Sequence, residues 1–251
     1  MAAALVALVT GAGRGIGLAT ARRLAADGFT VGGLDLDVGA LETLRAGTSA
    51  SHDPTPAPII PLRADVTDPA AVEAAIRALE DAARGPVEVV VNNAGVGGGG
   101  SFLETDRATV DRLLDVHLHG AMATTRLVLP GMLERGSGVI VNVLSDGLWH
   151  GGTSVSYTAA KGALLGFTRS LAREVAAAGV RVNAVAPGPV ATAMLLDDEP
   201  DAIAAELARV PIGRALQPDE VAATIAFLCG PGGQAYVGAV LSPNGGTVMP
   251  A

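Results

Sequence analysis

The chain is poor in cysteine, in aromatic residues and in long apolar runs. Its single cysteine, Cys229, excludes an internal disulfide and favours a reducing compartment, so a cytoplasmic location is expected. No apolar run reaches the length of a membrane-spanning helix, and no membrane partner is expected. The apolar start MAAALVALVTGAG has no basic segment and runs into glycines, so it is interpreted as a buried strand and not as a signal peptide.

The composition fits one large domain that spans residues 1–251. Hydrophobic residues make up 49% of the chain but aromatic residues only 3%, so the core must be built from Ala, Val, Leu and Ile with close backbone contacts. The net charge of −8 argues against a nucleic-acid partner, which usually meets a basic face.

Short apolar runs alternate with longer Ala-rich stretches. The runs predicted as strands are Leu5–Thr10, Thr30–Asp35, Ile59–Leu62, Val87–Asn92, Val139–Leu144, Arg181–Ala186 and Ala239–Leu241. Most are continuously apolar, which is typical of parallel strands covered on both faces. Helical patterns cover Ile16–Ala26, Ala70–Ala83 and a long stretch that ends at Gly179, and an irregular loop is predicted at 46–58. The alternation predicts an α/β fold, a doubly wound parallel sheet of about seven strands with helices on both faces.

The first strand is followed by TGAGRGIG, in which Gly11, Gly15 and Gly17 have the spacing G-x-x-x-G-x-G. Glycines permit a tight turn and a close approach of the backbone to a pyrophosphate, and a helix that starts near Gly15 offers free N–H groups to the anion. The alternative is a glycine-rich turn without a ligand.

Asp35 ends the second strand, 18 residues after Gly17. A carboxylate at that interval can accept hydrogen bonds from both adenosine ribose hydroxyls and would repel a 2′-phosphate, so it favours NAD. Arg14 instead favours NADP, because a guanidinium group in the glycine turn could bind the 2′-phosphate. We weigh the carboxylate more heavily, so NAD is the predicted cofactor and NADP the alternative.

Four motifs in a fixed order resemble those of the short-chain dehydrogenase/reductase family. They are TGAGRGIG, NNAG at 92–95, Tyr157-x-x-x-Lys161 and PG at 187–188, and the resemblance extends to SPNGG at 242–246. It implies a single Rossmann-type domain, a nicotinamide cofactor, a small-molecule substrate and a homotetramer or homodimer.

The resemblance also implies roles for individual positions. Asp65 and Val66 match the pair that contacts adenine, Asn93 to Gly95 match the turn after the fourth strand, and Pro187 to Thr192 match the segment at the nicotinamide end. The full predicted cofactor-binding set is Gly11, Arg14, Gly15, Ile16, Gly17, Asp35, Asp65, Val66, Asn93, Ala94, Gly95, Tyr157, Lys161, Pro187, Gly188, Val190 and Thr192.

Tyr157 and Lys161 lie at i and i+4 and so share one helix face. Reducing a ketone by hydride leaves an oxygen that needs a proton, and oxidising an alcohol needs that proton removed. A free tyrosine has a pKa of about 10, and a neighbouring ammonium group is expected to lower it. Tyr157 is therefore the predicted acid or base, and Lys161 is predicted to tune it and, by the resemblance, to hold the nicotinamide ribose.

Two further catalytic positions are predicted from the resemblance. Ser145, which matches the serine after the fifth strand, can hydrogen-bond the carbonyl oxygen, although its interval of 12 residues to Tyr157 is one shorter than is common. His117, in DVHLHG, stands where many relatives have an asparagine of a proton relay. His117 either replaces that asparagine or packs in the helix while the relay runs through water.

The predicted substrate residues are Trp149, His150 and Met194, with a lid around 189–212. Trp149 and His150 follow Ser145, where relatives line the substrate pocket, although either could be a surface anchor. The apolar start of the lid favours a small or medium apolar secondary alcohol or ketone. No metal site is predicted, because His117 and His119 lie on different helix faces.

Three alternative functions stay open. A 3-oxoacyl reductase acting on acyl-carrier-protein or CoA thioesters is disfavoured by the acidic lid DDEP and the ending REVAAAG of the catalytic helix, but Arg126, Arg135 and Arg173 keep it open. A catalytically silent dinucleotide-binding sensor is disfavoured by the complete set of Ser145 and Tyr157-x-x-x-Lys161. A nucleotide-sugar epimerase or dehydratase would, by the resemblance, have a longer C-terminal region.

Overall fold

A computed structural model describes residues 5–48, 57–152, 154–197 and 199–249. Its strands are β1 Val6–Thr10, β2 Thr30–Asp35, β3 Ile59–Arg63, β4 Val87–Asn92, β5 Gly138–Val143, β6 Val180–Val185 and β7 Val240–Leu241. They form one parallel sheet in the order β3-β2-β1-β4-β5-β6-β7. The predicted fold class is confirmed: this is a Rossmann-type doubly wound sheet.

The helices run between the strands. They are α1 Gly15–Ala26, α2 Gly39–Thr48, α3 Pro69–Ala83, α4 Arg107–Leu114, α5 Gly120–Arg135, α6 Gly147–His150, α7 Val155–Val175, α8 Ala193–Leu196, α9 Pro200–Leu207 and α10 Pro218–Cys229. A π-helical turn, Asp115–His119, joins α4 to α5. Of the loop predicted at 46–58, the first three residues end α2, and 49–56 lie outside the described residues. None of the described helices could cross a membrane.

The sheet has helices on both faces, as the continuous apolar runs predict. Ala7 and Val9 of β1 belong to a buried cluster with α1 and α10, whereas Val6 and Leu8 belong to a second cluster with α3, α5 and α7. Successive strand residues point to opposite faces, so both faces of β1 must be apolar.

A chain of buried amide and hydroxyl groups attaches helix α7 to the sheet. Asn92 Nδ2 of β4 donates to Asn142 Oδ1 of β5 at 2.8 Å, and Asn142 Nδ2 donates to Thr168 Oγ1 of α7 at 2.9 Å. All three side chains are buried, so each needs such a partner. This chain of bonds fixes the position of the helix that carries Tyr157 and Lys161.

Candidate active site

The predicted site residues follow the carboxyl ends of neighbouring strands. The glycine turn follows β1, Asp35 is the last residue of β2, and Asp65 and Val66 follow β3. NNAG begins at the last residue of β4, Ser145 follows β5, and Pro187 to Thr192 follow β6. The strand order reverses between β1 and β4, and ligands of open α/β sheets bind in the crevice at such a switch point.

The glycine turn has no room for side chains. Gly11 and Gly15 have φ of +64° and +54°, in the left-handed region that favours glycine. A Cβ at Gly17 would lie 2.0 Å from the carbonyl oxygen of Gly11, and one at Gly13 would lie 2.2 Å from that of Asp37. Packing within the protein therefore requires glycine at these positions, and the bare backbone of the turn would let a pyrophosphate approach closely. Ile16, in the first turn of α1, packs partly buried against the core.

The amino terminus of α1 has no side-chain cap. Its N-cap residue, Arg14, is exposed and accepts no capping hydrogen bond, and the first turn holds no acidic residue. In contrast, α3 is capped by Asp68, which accepts from the N–H groups of Ala70 and Ala71. The first-turn N–H groups and the dipole of α1 therefore suit an anion.

The NNAG turn is held against the glycine turn by hydrogen bonds that the sequence alone did not indicate. Asn93 Nδ2 donates to the carbonyl oxygens of Thr10 and Gly11, both at 3.0 Å. Thr10 Oγ1 accepts from the N–H groups of Asn93 and Ala94, both at 3.1 Å. The ends of β1 and β4 thus form one rigid border of the crevice, with Thr10 as the residue that sequence reasoning missed.

Asp35 supports the glycine turn from the end of β2. Its Oδ2 accepts from the N–H of Gly13 at 2.8 Å, and its Oδ1 accepts from the N–H of Asp37 at 3.0 Å. A carboxylate has about four lone-pair positions, so it can still accept from two ribose hydroxyls.

The remaining predicted cofactor residues border the same crevice. Asp65 Oδ1 accepts from the N–H and the hydroxyl of Thr67, both at 2.8 Å, and Val66 is buried. Thr192 approaches the glycine turn, since a Cβ at Gly15 would lie 3.0 Å from Thr192 Cγ2. Two further members of the 187–192 segment bond to other parts of the chain. The N–H of Gly188 donates to Pro243 O, and Val190 forms a parallel β-bridge with Leu216.

Tyr157 and Lys161 lie together at the start of α7. The Nζ atom of Lys161 is 5.6 Å from the centroid of the Tyr157 ring and donates to Val143 O at 2.7 Å. Lys161 is the only lysine of the chain and is 3% exposed. The rings of His117 and Tyr157 make a T-shaped contact, with centroids 5.2 Å apart and planes at 89°.

The expected direction of the Tyr157 pKa is corrected by the structure. Burial, followed by the charge of Asp146, raises the pKa of Tyr157 to about 12, and burial lowers the pKa of Lys161 to about 7. Removing both groups from water disfavours their charged forms. Tyr157 is thus a neutral phenol near neutral pH, and Lys161 is the group that titrates there.

His117 lies in the π-helical turn and is 2% exposed. Its Nε2 lies 2.9 Å from Val96 O and 3.3 Å from the N–H of Val96. Because a carbonyl oxygen can only accept, the shorter contact assigns the ring hydrogen to Nε2 and leaves Nδ1 as a buried acceptor without a partner among the described residues. Burial, followed by the charge of Lys161, lowers the pKa of His117 to about 3, so the ring is neutral at physiological pH. A Cβ at Gly95 would lie 2.7 Å from its Cε1, which explains the glycine in NNAG.

Two serines form hydrogen bonds in the loops that precede Tyr157. Ser145 Oγ accepts from the N–H of Gly147 at 3.2 Å, so its hydroxyl hydrogen is still available. Ser154, which the sequence analysis did not single out, caps α7 by accepting from the N–H of Tyr157 and donates to Gly98 O at 3.0 Å. Ser154 therefore joins the start of α7 to the loop after β4.

The predicted substrate residues lie on two short helices, α6 and α8. Met194, on α8, lies above the loop after β4, since a Cβ at Gly97 would be 3.8 Å from Met194 Cγ. Trp149, on α6, is 37% exposed. His150 at the end of α6 contacts Arg209, which follows α9, with Arg209 Nη2 3.1 Å from His150 Nδ1. The segment 189–212, which contains α8 and α9, therefore touches the loops after both β4 and β5.

A family model described as enoyl-(acyl carrier protein) reductase matches residues 11–248. A cis-4-hydroxycyclohexanecarboxylate dehydrogenase of Sinomonas cyclohexanicum is 42% identical, over 96% of this chain and 95% of the relative. A galactitol 2-dehydrogenase (L-tagatose-forming) of Cereibacter sphaeroides is 40% identical, over 96% and 93%. A 3-oxoacyl-(acyl-carrier-protein) reductase of Vibrio cholerae is 37% identical, over 97% of both chains.

Proposed function

The chain belongs to the short-chain dehydrogenase/reductase family, and we propose that it interconverts a small secondary alcohol and its ketone with NAD, using Tyr157 as acid and base. The observation that carries this proposal is the buried pair of Tyr157 and Lys161 beside a bare, uncapped glycine turn. Hydride-transfer assays of the wild type and of Tyr157→Phe test it.

The residues around the crevice fit a dinucleotide. The bare glycine turn and the amino terminus of α1 would hold the pyrophosphate, and Asp35 would hold the adenosine ribose. Asp65 and Val66 would border the adenine, and Pro187 to Thr192 the nicotinamide. When bound, NAD supplies the acceptor or donor of the hydride.

The proton balance follows from the pKa directions. In ketone reduction, the neutral phenol of Tyr157 donates its proton to the developing alkoxide, while the hydroxyl of Ser145 donates a hydrogen bond to the same oxygen. In alcohol oxidation, the pair of Tyr157 and Lys161 must first lose one proton. After this loss, the remaining proton can be on Lys161, with Tyr157 as phenolate, or on Tyr157, with Lys161 as neutral amine. Both forms contain the same number of protons, so the pKa of this step is a property of the two residues together.

NAD is favoured over NADP by the carboxylate of Asp35. We expect the wild type to bind NAD⁺ at least about tenfold more tightly than NADP⁺, which corresponds to roughly 1.4 kcal/mol. Asp35→Asn, which removes the charge and keeps the shape, is expected to reduce this ratio about tenfold. Titration calorimetry with both cofactors measures it without turnover.

Asp37→Asn is the matched control for Asp35, because Asp37 is a neighbouring acid whose Oδ1 instead accepts from the N–H of Gly39. It is expected to leave the ratio nearly unchanged. A wild type that binds NADP⁺ as tightly as NAD⁺ would contradict the assignment and would give the deciding role to Arg14.

His117 is proposed to position Tyr157 and to take the place of the relay asparagine as a neutral ring. His117→Ala removes the edge contact with Tyr157 and the bond to Val96 O, and a small misplacement of a catalytic group can lower the rate about 10- to 100-fold. His117→Asn, which restores an amide at this position, is expected to recover part of the loss. The relay is rejected if both variants keep the turnover and the pH profile of the wild type.

The substrate is proposed to be a small secondary alcohol or ketone beneath the segment 189–212. The names of the three relatives refer to oxidation of hydroxyl groups or reduction of an oxo group, which supports this chemistry. The runner-up is a 3-oxoacyl thioester, favoured by the Vibrio cholerae relative. A screen of alcohols, ketones and 3-oxoacyl thioesters separates the two.

A further inference from the structure

Asp146, the residue after Ser145, is a buried carboxylate that the proposed reaction does not use. It is 4% exposed, and its N–H donates to Pro187 O at 2.9 Å, which places it between the loop after β5 and the segment after β6. No donor of the described residues reaches its Oδ2. Leaving a buried carboxylate oxygen without a hydrogen bond is costly, so this atom needs a partner from outside the described residues.

His150 supplies a donor beside this acceptor. Its Nδ1 is 3.1 Å from Arg209 Nη2 and 3.3 Å from the N–H of Gly152, and both of those groups can only donate. Nδ1 must therefore be the acceptor, so Nε2 carries the ring hydrogen. Nε2 is buried and lies 3.5 Å from Asp146 Oδ1, without a hydrogen bond to any described residue.

The contacts of Asp146 and His150 place them beside the segment 189–212. The N–H of Asp146 donates to Pro187 O, just before that segment, and His150 Nδ1 lies 3.1 Å from Arg209 Nη2 within it. Burial raises the pKa of Asp146, and the charge of Asp146 is the second cause, after burial, of the raised pKa of Tyr157. Asp146 and His150 therefore adjoin the segment beneath which the proposed function puts the substrate.

We propose that Asp146 and His150 bind a second hydroxyl group of the substrate, close to the carbon that is oxidised or reduced. A hydroxyl group can donate to Asp146 Oδ2 and accept from His150 Nε2–H at the same time, so it satisfies both atoms. An ammonium group would satisfy only the carboxylate, a carboxylate or phosphate would be repelled by it, and an alkyl group would leave both atoms unpaired. The substrate class is a diol, a polyol or a hydroxy ketone, and this inference rests on the proposed function.

Matched substrates with and without the second hydroxyl test this inference. We would measure kcat and KM for butane-2,3-diol against butan-2-ol, and for cyclohexane-1,2-diol against cyclohexanol, with NAD⁺. The second hydroxyl would form one hydrogen bond with the charged Asp146 and one with the neutral His150. We therefore expect the kcat/KM of the wild type to be about 10²-fold higher for the diol than for the matched alcohol. Asp146→Ala is expected to reduce this preference at least about tenfold, mainly by raising KM for the diol.

The preference is a ratio within one protein, so a lower folded fraction of a variant does not change it. Asp197→Ala, which removes an exposed charge from the same segment as Arg209, is the control and should keep the wild-type ratio. His150→Leu should lower the ratio, and His150→Gln, which keeps a donor, should restore part of it.

The outcomes separate this inference from the proposed function. Turnover of all four alcohols without a preference for the diols, or an equal loss for both classes in Asp146→Ala, overturns the second-hydroxyl site and leaves the hydride transfer intact. No NAD-linked or NADP-linked turnover of any alcohol or ketone overturns both.

Discussion

Replacing Tyr157 by phenylalanine is expected to lower kcat/KM by about 10²- to 10⁴-fold, the usual contribution of a positioned acid or base. Phenylalanine keeps the ring in contact with that of His117, so the packing of the site should survive. Only the proton donor is lost. Steady-state rates in both directions measure the effect, and cofactor affinity by calorimetry should stay within a few-fold of the wild type.

Tyr236→Phe is the matched control, because Tyr236 is the only other tyrosine of the chain. It packs edge-on against Phe227, away from the crevice, and its hydroxyl has no part in the proposed reaction. It should keep wild-type rates. Equal turnover by the wild type and Tyr157→Phe would contradict the assignment of Tyr157, whereas no turnover by the wild type would favour a dinucleotide-binding protein without this chemistry.

Replacing Lys161 by methionine is expected to change the pH dependence of alcohol oxidation. With a lysine pKa of about 7, the pair of Tyr157 and Lys161 loses its first proton near neutral pH, so wild-type kcat/KM should rise with pH and level off above about pH 7. Without the amine, the proton must leave a phenol whose pKa is about 12. The rate of Lys161→Met should therefore be at least about 10²-fold lower at pH 7 and should still be rising at pH 10.

The pKa of Lys161 can also be observed directly, because the chain has no other lysine. Protein labelled with ¹³C-lysine should give one side-chain signal that titrates near pH 7, and this signal should disappear in Lys161→Met. A signal that titrates near the ordinary lysine pKa, or a variant whose rate profile bends at the same pH as the wild type, would contradict the shared proton.

The sheet could be predicted because each strand is indicated by the apolar residues within one short run of the sequence. The run Leu5–Val9 is apolar at every position, as expected of a strand that is covered on both faces. The strand ends differ from the prediction by about one residue, as in β5, which runs over Gly138–Val143. Several helices were not predicted, among them α4 and α5, whose pattern is interrupted by the π-helical turn and by Pro130.

The site was predictable as a set of positions but not as an electrostatic environment. The spacing of Tyr157 and Lys161 predicts that they meet, but it does not predict how completely the lysine is buried, and burial decides the direction of both pKa values. Asp146 was missed for a related reason: a carboxylate beside Ser145 is visible in the sequence, but its missing partner is visible only when all its neighbours are placed.

The central claim is that a small alcohol loses hydride from its carbinol carbon to the nicotinamide, while Tyr157 and Lys161 take up the proton of its hydroxyl group. It is tested most directly with a secondary alcohol deuterated at that carbon, by mass spectrometry of the reduced nicotinamide. The proposed reaction predicts that the deuterium appears in the nicotinamide with the wild type, and that its transfer nearly vanishes with Tyr157→Phe. Reduced cofactor without deuterium, or equal transfer by the variant, would contradict it.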